Sequence, residues 1–144
     1  MSKIIALIVL FLLPSVALAC SCSGAPTEER FAGASAVVIA EATAVSTRTM
    51  INTPERHVER QTVLWTVLKA WKGSYSAGET FTTRTESECC TCGLTVSRRG
   101  TLMLLYLSGR EPYSLSTCAG HKFLDSDVKD ILLLDKLQSH GNGT

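Results

Sequence analysis

Two of the six cysteines stand one residue apart in Ala17-Leu18-Ala19-Cys20-Ser21-Cys22, directly after a stretch built like a secretory signal. Lys3 supplies a positive start, Ile4 to Leu13 an apolar run edged by Pro14, and Ala17-x-Ala19 a small-residue cleavage site. The run is too short to be comfortable as a membrane-spanning helix of the mature chain, which argues against a retained anchor. Residues 1–19 are therefore expected to be a signal peptide and residues 20–144 the mature domain. Cleavage after Ala19 leaves Cys20 with a free α-amine and Cys22 two positions further on. Lipidation of Cys20 is the minor alternative: it would block the amine, but Ala17 stands where lipoprotein signals carry leucine. The expected location is secreted or periplasmic, and there the six cysteines read as a disulfide frame rather than as free thiols.

Composition narrows the classes further. Removing Lys3 leaves 13 basic against 13 acidic residues, so the mature chain is formally neutral. The basic residues are scattered, with no aromatic interleaving, and nucleic acid is not an expected partner. Nor is a membrane, once the signal is removed. No serine, histidine and acid arrangement, phosphate loop or paired carboxylates stand out, so no enzyme is expected. His57, His121 and His140 are not at metal-ligand spacing and read as surface residues. The cysteines Cys20, Cys22, Cys89, Cys90 and Cys92 could bind a soft metal, but export favours disulfides; no metal or cofactor of its own is expected.

Patterning predicts a mainly β domain. After a leader stiffened by Pro26, Thr27 to Phe31 reads as a short helix with Thr27 as N-cap and Phe31 as apolar anchor. Ala36 to Val45 reads as a strand buried on both faces, and Ser46 to Glu59 as an exposed connection. Arg60 to Trp71 follows as a long strand with Val63, Trp65 and Val67 on one face and Leu64 and Leu68 on the other, hence central. Phe81 to Thr85 is a half-exposed strand, Glu86 to Cys92 a loop, Leu102 to Leu107 an apolar strand and Tyr113 to Thr117 a fifth strand. Five strands with short turns suggest a small closed barrel. The long C-terminal helix, Asp125 to Gln138, has Asp125, Ser126 or Asp127 as cap and a stripe of Leu124, Val128, Ile131 and Leu132, broadened by Leu133, Leu134 and Leu137. His140 to Thr144 is expected to fray.

The order of these pieces resembles the tissue inhibitors of metalloproteinases. The resemblance rests on Cys20-Ser21-Cys22 at the expected mature terminus, the short helix with Phe31, Ala36-Val37-Val38-Ile39, a strand running into Lys72-Gly73, then Cys92-Gly93 and Ser116-Thr117-Cys118. It covers nearly the whole mature chain as a single domain and is similar to the netrin-like modules. It implies a five-stranded OB-type barrel with a short N-terminal helix and a longer C-terminal helix. It also implies a monomeric inhibitor whose partner is a secreted or envelope zinc metalloprotease. In that family the first residue's amine and carbonyl oxygen bind the enzyme's zinc and the second residue enters the specificity pocket, roles that fall on Cys20 and Ser21. Amine and carbonyl form a five-membered chelate, and filling the open zinc position removes the nucleophilic water. The amine must be neutral to bind, and its ordinary pKa of about 7.7 to 8.0 makes that easy on a metal.

The same resemblance implies disulfides Cys20–Cys92 and Cys22–Cys118, which would hold the terminus rigid and spare ordering entropy on binding. It implies a contact ridge of Cys22, Ser23, Cys90 and Thr91 beside the terminus. The chain departs from the family where Ala32 replaces a third-disulfide cysteine and where no cysteine follows Cys118. Cys89 and Cys90 are additional: a vicinal Cys89–Cys90 disulfide or a bond between chains would satisfy them, and either of them could replace Cys92 as the partner of Cys20. The alternative function is a non-inhibitory extracellular or envelope binding module of the same frame, and the third a thiol-redox or soft-metal-binding protein.

Overall fold

The computed structural model describes residue 22 and residues 24–88, 91–124 and 128–141. The elements run α1 (Thr27–Gly33), β1 (Ala36–Asn52), β2 (His57–Lys72), β3 (Thr80–Glu88), β4 (Leu102–Leu107), a 3-10 turn (Thr117–Ala119), β5 (Lys122–Phe123) and α2 (Val128–Gly141). The strands form one antiparallel sheet in the order β3-β2-β1-β4-β5. The fold is mainly β, with five strands, a short N-terminal helix and a longer C-terminal one.

Two apolar layers sandwich the middle of this sheet. Alternation along each strand sends Val38, Ala40, Val63, Trp65, Val67, Phe81, Met103, Leu105 and Leu107 to one side, where Tyr113 and Leu115 join them. Phe81 stacks near Trp65 with ring centroids 6.3 Å apart and meets Tyr113 edge-on at 5.9 Å. The Trp65 indole N–H, which burial would otherwise orphan, donates to the Thr83 hydroxyl at 2.8 Å. On the other side Val37, Trp71, Leu104 and Tyr106 pack under Leu134 of α2, with Phe31 of α1 and with Ile131 and Leu137 of α2 alongside. This is why the first five residues of β1, Ala36 to Ala40, and all of β4 after Leu102 are apolar without alternation: both faces are covered.

The sheet is not a closed barrel. Tyr113 to Thr117, expected as the closing fifth strand, makes one parallel bridge to β3 at Thr83 and then leaves it to bridge Gly93 through Ser116. The Tyr113 N–H donates to the Thr82 carbonyl at 3.0 Å and its carbonyl accepts from the Arg84 N–H at 2.8 Å, but the segment changes partner before a second turn of ladder can form. Ordinary pairing makes the fifth strand instead from Lys122–Phe123, on β4.

Four other expectations change. Ser46 to Asn52 is not a connection but the second half of β1, paired with β2 down to Asn52 opposite His57, so the turn is confined to residues 53–56. The outer face of β2 is less buried than its sequence suggests, because no layer covers it there: Leu64 is 39% and Leu68 46% exposed, although β2 is an interior strand. Thr27 does not cap α1. Pro26 is the N-cap residue, and the Thr27 hydroxyl donates to Asp130 of α2 at 3.1 Å, tying the two helices together. Finally α2 is not buried all round. Leu134 is fully buried, Ile131 and Leu137 are partly so, and Leu132 is 58% exposed. The Val128 side chain and the proposed caps at 125–127 lie outside the described residues, and the helix itself continues to Gly141, past the expected fraying point at His140.

The helices are pinned by polar contacts at their edges. Lys72 donates to the carbonyls of Phe31 and Ala32 at 2.8 Å each, satisfying the end of α1. Asp135 of α2 accepts from Lys69 at 2.6 Å and from the Trp71 indole at 2.7 Å, and those bonds hold its carboxyl below the ordinary range. After Lys72 the chain turns at Gly73, where φ is +94° and a Cβ would stand 2.7 Å from that of Ala36; only glycine fits both demands.

Candidate functional site

The three described cysteines, Cys22, Cys92 and Cys118, lie near the C-terminal end of β3. Cys22 is joined to Cys118, with S–S 2.02 Å and Cα atoms 4.9 Å apart across 96 residues of sequence. Cys118 sits in the 3-10 turn Thr117–Ala119, whose entry is held by the Ser116 hydroxyl accepting from the Cys118 N–H at 3.2 Å. The preceding residue carries the contacts that lock this turn to its neighbour. The Thr117 N–H and hydroxyl both donate to the Cys92 carbonyl, at 2.8 and 3.2 Å, and that hydroxyl oxygen lies 4.0 Å from the Cys22 sulfur. Cys92 is itself disulfide-bonded, to a partner outside the described residues. Cys22, Cys92, Thr117 and Cys118 thus form one cluster at the sheet's end.

Backbone fit brings Cys92 there. Gly93 lies so close on β3 that a Cβ would stand 2.6 Å from the Glu86 carbonyl oxygen and 2.8 Å from the Thr85 methyl. Leu94 then donates to the Leu115 carbonyl at 3.1 Å. Two residues on, Gln61 of β2 holds Val96 as a strand would, accepting from its N–H at 2.7 Å and donating to its carbonyl at 3.0 Å. Gln61 and Val96 are both buried. The segment carrying Cys92 is therefore fastened to the sheet on both sides of Gly93.

Thr91 is exposed and bonded back to β3: its N–H and hydroxyl donate to the Glu88 carbonyl at 3.1 and 3.0 Å, and its hydroxyl accepts from the Glu88 N–H at 3.1 Å. The Glu88 carboxylate takes two bonds from Arg56 in the β1–β2 turn, at 2.5 and 3.0 Å, which hold its carboxyl below the ordinary range and the guanidinium above its own. Next to the cluster a shallow cleft of 430 Å³ opens between Arg84, Glu86, Cys92, Gly93 and Ser116.

Of the residues singled out in the sequence, Cys22, Thr91, Cys92 and Cys118 lie at this end of the sheet. Cys20, Ser21, Ser23, Cys89 and Cys90 lie outside the described residues. No group of His, Cys, Asp or Glu able to hold a metal occurs among the described residues. His57 is exposed, but His121 is not the surface residue expected: its Nε2 is buried and its Nδ1 accepts from the Tyr106 N–H at 3.2 Å. Burial, and after it the Arg30 cation, push its pKa down to about 4. Thr117 and Gln61 were not foreseen as supports. The signal for Gln61 was available, since it stands in the inward phase of Val63 and Trp65 where a polar side chain needs a buried partner.

What the end of β3 offers is the Cys22–Cys118 bond in a turn whose Thr117 is bonded to the Cys92 carbonyl. No helix among the described residues is long and apolar enough to cross a membrane. No protein-family model matches the chain, and no curated protein matches it in sequence.

Proposed function

We propose that the mature chain is an extracytoplasmic inhibitor of zinc metalloendopeptidases, acting through the amine and carbonyl oxygen of Cys20 with Ser21 directed to the specificity pocket. The observation that carries this reading is the Cys22–Cys118 disulfide, seated in a turn that the Ser116 hydroxyl caps and that Thr117 bonds to the Cys92 carbonyl. Two residues span at most about 7 Å, so an anchor at Cys22 limits how far the Cys20 amine can range. A confined ligand gives up less entropy when it binds. The bond also suits an oxidising compartment, as the signal-like N-terminus does. Catalytic zinc belongs to the partner, and the chain itself holds no metal in this reading.

The test exploits the size of the chelate. Mass spectrometry of the exported protein should show a chain starting at Cys20 with an unmodified amine. That protein should inhibit at least one zinc endopeptidase from a broad panel. One alanine added before Cys20, or acetylation of the amine, converts the amine to an amide nitrogen that binds zinc poorly. The modified forms should melt at the same temperature as the native protein and inhibit far less. Ser21→Gly should weaken inhibition modestly, since the zinc ligands remain. Equal inhibition by the extended form, or none by the native protein across the panel, refutes the proposal and leaves Cys20 a structural residue.

A further inference from the structure

The whole chain is electrically near neutral, but one groove on it is not. On the outer face of the β1–β2–β3 part of the sheet, register sets Arg48 opposite Arg60, Arg60 opposite Glu86, Ser46 opposite Thr62 and Thr62 opposite Arg84. Directly paired residues share a face, as do residues two apart on one strand, so all of these project from the same side. A groove of 270 Å³ runs among them, lined by Ser46, Arg48, Met50, Arg60, Thr62 and Arg84. Glu86 is committed to Arg60, whose Nε donates to it at 2.9 Å and whose terminal nitrogen donates as well. No hydrogen bond or ion pair engages the Arg48 or Arg84 guanidinium among the described residues, and both side chains are exposed.

Like charges directly opposite one another on paired strands destabilise a sheet, and Arg48 against Arg60 is such a pair. Three guanidiniums against one carboxylate leave two positive charges around a groove whose other polar groups, the Ser46 and Thr62 hydroxyls, can donate as well. Guanidinium forks match tetrahedral and carboxylate oxyanions by paired bonds; Arg48 and Arg84 offer unengaged forks from β1 and β3, while Arg60 between them, bonded to Glu86, lends its charge, and donors on separate strands suit a tetrahedral group better than a planar one. We infer that this groove is a binding site for a dianionic tetrahedral oxyanion, either inorganic phosphate or the phosphate of a small monoester. The groove shares Arg84 with the cleft beside the cysteine cluster but uses none of the cysteines, and it stands whether or not the chain inhibits a protease.

The experiment titrates the full mature protein at low ionic strength with inorganic phosphate and, in a second arm, with glycerol 3-phosphate, following backbone amide shifts by NMR and thermal unfolding. Saturable one-to-one binding is expected, with shifts centred on Ser46, Arg48, Thr62 and Arg84. A tighter response to the ester identifies a monoester ligand, and a response to phosphate alone identifies the free ion; either supports the site. The double variant Arg48→Gln/Arg84→Gln should bind at least tenfold more weakly, while Arg99→Gln/Arg110→Gln, which removes two exposed arginines elsewhere, should bind as the parent does. Without phosphate the first variant should melt no lower than the parent, because it relieves repulsion. Shifts that fail to saturate or spread evenly over the surface overturn the inference, as does binding by Arg48→Gln/Arg84→Gln within twofold of the parent.

Discussion

Replacing Gln61 with leucine tests how the segment that carries Cys92 is held. The side chain is apolar and one heavy atom shorter, and it can neither accept from the Val96 N–H nor donate to the Val96 carbonyl, now bonded at 2.7 and 3.0 Å. Val96 is 1% exposed, so water does not reach the two groups unless the segment lifts. Each orphaned backbone group costs about 2 kcal/mol at mid-range, so about 4 kcal/mol for the two, and the extra apolar burial of leucine returns about 1.5 kcal/mol, giving a net loss of about 2.5 kcal/mol. In a domain of this size that is a fall in Tm of about 10 °C, read by calorimetry or by the urea midpoint. Gln61→Glu refines the test. Its carboxylate can accept from Val96 N–H, but its second oxygen faces the Val96 carbonyl and must be protonated to donate. The folded pKa of that glutamate is then raised above its unfolded value, so its share of stability is present at low pH and lost as pH rises. The stability gap between Gln61→Glu and the parent should accordingly narrow as pH falls from 7 toward 4. A Gln61→Leu protein within about 0.5 kcal/mol of the parent would show that Val96 finds other partners and that the fastening is not what holds this segment.

Two further outcomes are expected. Because His121 is held neutral, with its pKa lowered to about 4 against about 6.5 when unfolded, its contribution is complete above pH 6.5 and lost as pH falls through 4. Urea midpoints should reveal a loss of about 3 kcal/mol over that window, and His121→Gln should flatten it; an unchanged slope in the variant would assign the loss elsewhere. Removing the disulfide with Cys22→Ser/Cys118→Ser opens a loop spanning 96 residues, worth about 4–5 kcal/mol on chain-entropy grounds. A loss under about 1 kcal/mol in urea would mean that the unfolded chain is already constrained without it.

Some elements could be read from residue type alone and others could not. The limits of β4 coincide with the apolar run Leu102 to Leu107 because burial on both faces leaves no polar position inside it. The inward phase of β2 was equally clear in Val63, Trp65 and Val67. The second half of β1 escaped notice because its strand state is set by hydrogen-bonded pairing to β2 rather than by burial; Ser46 to Asn52 shows water a face as polar as any loop. The closing strand failed for the opposite reason. Tyr113 and Leu115 alternate correctly and are buried, but apolar phase does not dictate how many consecutive residues find the same partner. At the site, Cys20-Ser21-Cys22 pointed to the leader, and the resemblance supplied Cys118 as the partner of Cys22. The fastening of Cys92 depended on Thr117 and Gly93, whose parts emerge only once β3 and residues 113–117 lie side by side.

The unequal lengths of the strands leave one border of the sheet open. β4 pairs with Ala36 to Glu41, and Gly100 and Thr101 bond Ala42, but from Thr43 to Asn52 β1 has a neighbour only on its β2 side among the described residues. Such a border displays backbone donors and acceptors that a strand of another molecule could use, the ordinary starting point of self-association. Two features resist that here. The pairing shifts register between Ala42 and Ala44 and again between Thr49 and Ile51, which bends the border away from a straight template, and the charged Arg48 stands midway along it. An approaching strand would have to match both shifts and settle beside a guanidinium, so the long hairpin can extend past its neighbours without inviting copies of itself.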